Sequence, residues 1–425
     1  MQTYHENAKE LPIAGEYDVI VAGSGPAGTA AAVMAGRMGA KVLIIEWNNA
    51  IGGISTSGMM SHWTGSVTSP LYTEILQRSA DMNEDEQKGN IQQFINPENL
   101  KSVYFDMLKD ANVDVLLYTF VCGVVMEGDQ LTGVITESKS GRRVFHSKVV
   151  VDGTGDGDVA AFAGVEYHKG RESDGKMQPA TLMFKVAGVD MSRAVLLGSF
   201  ESTYQTEKGE LQALAKEHIP YPAGHLLAYK STLPGIVTCN MTNCTDIDGT
   251  KAEDLTRAEI VCRSQMPAIV KYLREFVPGF ENCYIISAGS MMGVRETRHF
   301  KGMYTLNEND ILTAKVFDDW VVRGAHFNFD VHNMTGSGLD ATGVQKHWTQ
   351  PKGYTIPYGC LVPEKINGLL LSGRNISGTH IAHSNYRVMP ICVGIGAAAG
   401  VAAATAIKKG VQVRDIKGEE LQDRL

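Results

Sequence analysis

Four stretches of the chain carry residues whose types and spacing could do chemistry. Gly23-Ser24-Gly25-Pro26-Ala27-Gly28 matches G-x-G-x-x-G, and Glu46 follows roughly twenty residues later. Gly23 permits a tight turn, Gly25 lets backbone approach a pyrophosphate, and Gly28 lets a helix pack closely on a strand. A helix starting here would aim unpaired N–H groups and its positive dipole end at phosphates. Glu46 could accept hydrogen bonds from a ribose diol. These are the parts of a dinucleotide site.

The second stretch, "GVRETRHF", sets Arg295, Glu296, Arg298 and His299 almost side by side. Arg295 could hold a carboxylate or carbonyl bidentately. An internal ion pair between two parts of the fold accounts for the stretch equally well. In the third, "THIAHSNYRVMP", His380, His383, Tyr386 and Arg387 precede an apolar run. A histidine there could serve as general acid or base near neutral pH, or simply make a structural hydrogen bond. The fourth places His62 and Trp63 shortly after Gly52-Gly53. Cys392 could be a redox thiol, although a small core residue is the plainer reading.

Positioning these groups requires a particular order of elements. Residues 19–22 form a continuous apolar run, as a buried parallel strand does. An Ala-rich helix to about Met38 and a second strand over 42–45 follow. Leu100, Val103, Tyr104 and Leu108 share one helix face, and 113–118 reads as a strand. Three short strands with turns at Gly128-Asp129 and Ser140-Gly141 lead to Asp152-Gly153-Thr154-Gly155. Near the far end, strand 369–371 runs into Gly373-Arg374. The run 387–409 has the hydropathy of a membrane span, but its Gly, Ala and Val content and Pro390 suit a helix packed inside the protein.

Composition bounds the rest. A net charge of −8 argues against nucleic-acid binding. Seven widely spaced cysteines without a C-x-x-C argue against a disulfide framework, an iron–sulfur cluster or a zinc box, so no metal is expected. The first residues show no apolar secretory segment, and a reducing cytoplasm is the expected compartment.

Asp18, the three glycines, Gly39, Glu46 and Gly52-Gly53 resemble the FAD-binding signature of the glutathione-reductase-like superfamily. Stretches 155–190, 254–306 and 356–404 resemble the bacterial FAD-dependent oxidoreductases, relatives of the fumarate reductase and succinate dehydrogenase flavoproteins. The resemblance implies an α/β fold: a Rossmann-like FAD-binding domain, parallel sheet plus β-meander, with an inserted α+β substrate domain. The expected division is 1–165 and 356–425 for FAD binding and 166–355 for the insertion.

It also implies FAD contacts from the first loop, from Glu46-Trp47 and from Gly52-Gly53-Ile54-Ser55. Further contacts are expected from Val121, Gly153-Thr154-Gly155, Asp158, Gly373-Arg374 and Arg387-Val388-Met389. Arg295, His62, His380, His383 and Tyr386 are the catalytic candidates. The activity implied is hydride transfer between a small organic substrate and FAD. The alternatives are an NAD(P)H-dependent flavin monooxygenase and an electron-transfer subunit of a larger complex. No second dinucleotide motif is visible, so electrons are expected from the substrate, a transient donor or acceptor, or a partner; neither a nucleic-acid nor a membrane partner is expected.

Overall fold

The computed structural model describes residues 2–84, 87–340 and 352–425. Its first strand, Ile13–Ala22, pairs in parallel with Val42–Ile45 on one side and with Arg143–Asp152 on the other. Val42–Ile45 pairs in turn with Asp114–Leu116. Residues 19–22 are buried on both faces, which is why they read as an unbroken apolar run. The strand expected over 113–118 is shorter, because Tyr118 adopts φ 53° and breaks the extended backbone.

Arg143–Asp152 belongs to two arrangements at once. Its first half pairs antiparallel with Gln130–Glu137, whose other neighbour is Phe120–Glu127, completing the meander. Its last residues pair in parallel with Leu369–Leu371, from the far end of the chain. The sheet edge is thus handed from the meander to a distant segment exactly where one strand outruns its neighbour.

The apolar run is the helix Met389–Lys409, with Pro390 in its first turn. It is long and apolar enough to cross a membrane, yet 89% of its most apolar window is buried inside the molecule. A helix apolar all round needs partners all round. Gly396 and Gly400 meet the carbonyls of Ala27 and Ala31 on the helix Pro26–Arg37, so closely that no Cβ would fit. On its opposite flank Gly394 meets Val67 and Val322, from a three-stranded sheet of Ser66–Thr68, Trp320–His326 and Tyr354–Pro357.

A second core lies in the inserted part. Its antiparallel sheet runs Ala228–Lys230, Val237–Cys239, Phe184–Ala187, Tyr284–Ala288. The helix Ala252–Phe276 buries Cys262, Met266, Ile269 and Leu273 in the same core. Within the expected insertion, 166–355, the later residues pack elsewhere. Phe300, Leu306, Ile311, Val321, Val322 and Ala325 join the core of the nucleotide-binding part, because the sheet on the closing helix draws them there.

Candidate active site

A cavity of about 950 Å³ lies between the two cores. One group of its lining residues is the dinucleotide machinery. Gly23 turns at φ +85°, and a Cβ there would stand 2.6 Å from the Gly153 carbonyl oxygen. Gly28 is pressed against the Gly23 carbonyl and does not line the cavity. Gly25 is different: a Cβ there would meet nothing within 4 Å and would project into open space. The helix Pro26–Arg37 that begins after it has no side-chain cap. Its first N–H groups are therefore left for an anion.

Glu46 stands at the end of its strand, buried. Oε2 accepts from Ser24 N (2.9 Å) and Ser24 Oγ (2.6 Å), while Oε1 accepts from Asn48 N (2.9 Å). Ser24, Pro26, Ala27, Trp47, Gly53, Ile54 and Val121 also line the cavity. So do Gly153, Thr154, Gly155, Asp158, Gly373, Arg374, Val388 and Met389. Gly52 and Ser55 stand behind: the Gly52 N–H donates to the Ser24 carbonyl (2.8 Å), and Ser55 Oγ donates to Gly52 O (2.6 Å). Arg374 Nη2 donates to Asp156 Oδ1 at 2.9 Å, and Arg298 Nη1 to Asp158 Oδ1 at 2.9 Å. Like Pro26–Arg37, the closing helix begins without a side-chain cap.

The second group of lining residues is polar and deeply placed. Arg387 Nη2 donates to Asp330 Oδ2 (3.0 Å) and to Asp330 O (2.9 Å). Asp330 Oδ2 also accepts from His332 Nε2 at 3.2 Å. That bond fixes the imidazole tautomer and leaves Nδ1 as the basic nitrogen. Burial raises the Asp330 carboxyl, but His332, Arg387 and Arg295 outweigh it and hold the group well below the usual carboxylate range. Burial and Arg295 bring the His332 ring down to about 4 against the pull of Asp330, so it is neutral at pH 7.

Arg295 Nη1 donates to the Pro179 carbonyl (2.7 Å) and to Thr181 Oγ1 (2.9 Å), and its remaining exposure is onto the cavity. Burial, with Arg387 nearby, lowers it to about 10. Tyr229 OH accepts from Asn240 Nδ2 at 3.2 Å, which leaves its own proton to donate. Met60, Met183, Phe200 and Leu227 supply apolar wall.

Four of the five catalytic candidates do not line this cavity. His62 stacks on the Tyr229 ring at 4.7 Å from behind. His380, His383 and Tyr386 lie on the buried helix His380–Tyr386, where Tyr386 OH donates to Ile376 O (3.0 Å). Burial pushes His383 well below, and Tyr386 well above, the ordinary range. Of those five, Arg295 is placed on the cavity. Asp330, His332, Tyr229 and Asn240 also line it, and the sequence did not single them out. The one local signal was Asp-x-His, whose alternation in extended chain sets both side chains on one side.

The chain matches the family model described as FAD dependent oxidoreductase over residues 18–425. It belongs to that family. The cofactor of a FAD dependent oxidoreductase is FAD, and the open cradle at Gly25 and the two uncapped helix starts fit a bound dinucleotide. This FAD dependent oxidoreductase is 24% identical over 198 residues to digeranylgeranylglycerophospholipid reductase 1 of Methanococcoides burtonii, an alignment covering 42% of this chain and 47% of that one. The chain thus spans about half the length of that curated relative. Among solved structures it resembles a geranylgeranyl bacteriochlorophyll reductase-like protein from Thermoplasma acidophilum, at TM-score 0.50 and 13% identity, covering 93% of this chain and 80% of that one. It also resembles p-nitrophenol 4-monooxygenase from Pseudomonas putida, at TM-score 0.47 and 12% identity, covering 94% and 82%. At 13% identity the likeness to the Thermoplasma acidophilum protein is one of fold.

Proposed function

We propose that this oxidoreductase exchanges a hydride between FAD and a small organic substrate bearing a carboxylate or carbonyl. The observation that carries the reading is the Asp330–His332 pair beside Arg295 on the wall of the cavity that the dinucleotide loop also lines. Bound FAD supplies a two-electron acceptor or donor. The chain's own residues do the rest. Arg295 and Arg387 against one Asp330 leave an excess of positive charge, which suits an anionic or strongly polarised oxygen on the substrate. In the oxidative direction the substrate loses a hydride from carbon and a proton. His332 Nδ1 takes that proton, and Asp330 stabilises the imidazolium that results. In the reductive direction His332 returns it. The apolar wall from Met60, Met183, Phe200 and Leu227 keeps water from the reacting carbon.

The test is anaerobic reduction of the holoenzyme's flavin by a panel of 2-hydroxy acids, saturated carboxylates, amines and NAD(P)H. Bleaching by a carboxylate-bearing compound, lost in His332→Ala, supports the reading. Bleaching by NAD(P)H alone, with no reoxidation of the reduced flavin by a 2-oxo or unsaturated carboxylate, or an unchanged rate in His332→Ala, overturns it.

A further inference from the structure

Behind the site lies a buried carboxylate that uses both of its oxygens. Glu296 Oε1 is 2.8 Å from His299 Nε2 and 2.6 Å from His380 Nδ1. Oε2 accepts from the backbone N–H of Gln178 at 3.0 Å. The Gln178 side chain then turns toward the cavity residues. Its Oε1 accepts from the His332 backbone N–H at 3.1 Å and lies 3.5 Å from Arg387 Nη2. His380, for its part, opens the short helix that Arg387 terminates. Glu296 therefore reaches the His332 arm through Gln178, and the Arg387 arm through both Gln178 and His380.

The hydrogen-bond accounting makes this junction polar and fixed. His299 Nδ1 is 3.1 Å from the Gly378 carbonyl, so both ring nitrogens of His299 face acceptors. Glu296 then accepts three hydrogen bonds as a buried carboxylate, an arrangement that is costly to break from one side. Burial alone would raise the Glu296 carboxyl; the bonds from His299 and His380 reverse this and hold it well below its ordinary range.

The same three side chains are of metal-ligating type. Their separations speak for protons. Contacts of 2.8 and 2.6 Å are charge-assisted hydrogen-bond lengths. Ligands around a tetrahedral zinc with bonds of about 2.0–2.1 Å stand about 3.3 Å apart.

We propose that Glu296 is a positioning residue: by gripping Gln178 and His380 together it sets His332 and Arg387 in one register on the cavity wall. This rests on the reading of His332 as the proton-handling group. The test uses the holoenzyme, with the best carboxylate reductant of the panel above as probe. Glu296→Gln replaces one carboxylate oxygen with an NH₂, which would face the Gln178 N–H or the two histidines, so it cannot serve His299, His380 and Gln178 together. Gln178→Leu leaves the buried charge alone and cuts only the link to His332 and Arg387. Both variants are expected to keep FAD, to lose about 10²-fold in the rate of flavin reduction, and to shift its pH profile. If Glu296→Gln does not fold, Gln178→Leu decides.

Full rate with an unchanged pH profile in Gln178→Leu overturns the proposal while leaving the proposed function intact. Full rate in His332→Ala overturns both. Stoichiometric metal in purified wild-type protein, lost in His299→Ala, replaces the proton reading with a metal site and overturns the proposal as stated.

Discussion

Gly400 on the closing helix sits directly against the carbonyl of Ala31, and one turn away Gly396 sits against Ala27 in the same manner. The two helices meet backbone to backbone under the sheet. Gly400→Val forces them apart, since a Cβ there would run into the Ala31 carbonyl oxygen. Overpacking of this kind costs about 1–3 kcal/mol, and more where backbone must move. Urea denaturation of the holoenzyme should show a lower midpoint with an unchanged slope. Gly410→Ala, at the helix end where a Cβ meets nothing within 4 Å but φ is +66°, should cost about 1 kcal/mol.

The glycines of the first loop should separate by phenotype. Gly28→Ala collides with the Gly23 carbonyl and is expected to yield insoluble protein. Gly25→Ala has open space and should fold, but its methyl occupies the cradle. Fluorimetric titration of the apoprotein should find FAD affinity reduced at least tenfold in Gly25→Ala, with circular dichroism like wild type.

Asp330→Asn tests the tautomer. An amide can present its NH₂ to His332 Nε2, which moves the ring proton to Nδ1 and removes the base from the cavity. General acid–base contributions of about 10²–10⁴ are expected to disappear from the rate of flavin reduction. Stopped-flow absorbance measures it. Binding of the substrate should weaken far less, since Arg295 keeps both of its own partners, Pro179 and Thr181.

Stability should fall as the solution is acidified from pH 7 toward pH 4. His225 is brought down to about 3 and His332 to about 4, chiefly by burial, and His383 is lowered well below its ordinary value. Each stays neutral in the folded protein and binds a proton once unfolded. The unfolded state thus holds more protons below about pH 6.5, and the slope is about 1.4 kcal/mol per pH unit for each histidine. Asp152 runs the other way. Burial raises it to about 6, so it favours the folded state as pH drops and offsets part of the loss. Urea midpoints at pH 7 and pH 5 check the net sign, and His225→Phe should flatten the difference.

The nucleotide half of the molecule was legible because its logic is local. Strand, glycine turn, helix and acid lie within residues 19–46, and each glycine has a steric reason readable from its place in the motif. The other wall of the cavity was not, because Tyr229, Asn240 and the Asp330–His332 pair come from three segments that only tertiary packing assembles. The surroundings of His380, His383 and Tyr386 were illegible for a related reason. Their place before the apolar run cannot say whether they meet a cavity or Glu296 and His299. The place of Trp320–His326 was illegible likewise: its partner Ser66–Thr68 lies more than two hundred residues earlier.

The pairing of Leu369–Leu371 with Val150–Asp152 has a consequence for how the chain is made. During synthesis residues 150–152 wait with one edge bare until residues 369–371 leave the ribosome, while the inserted sheet, whose strands all fall between residues 184 and 288, is already complete. The order of emergence therefore lets the inserted lobe mature before the nucleotide-binding part is closed, and cofactor capture follows that closure. A nascent chain stalled at residue 360 should resist protease in its middle and remain colourless.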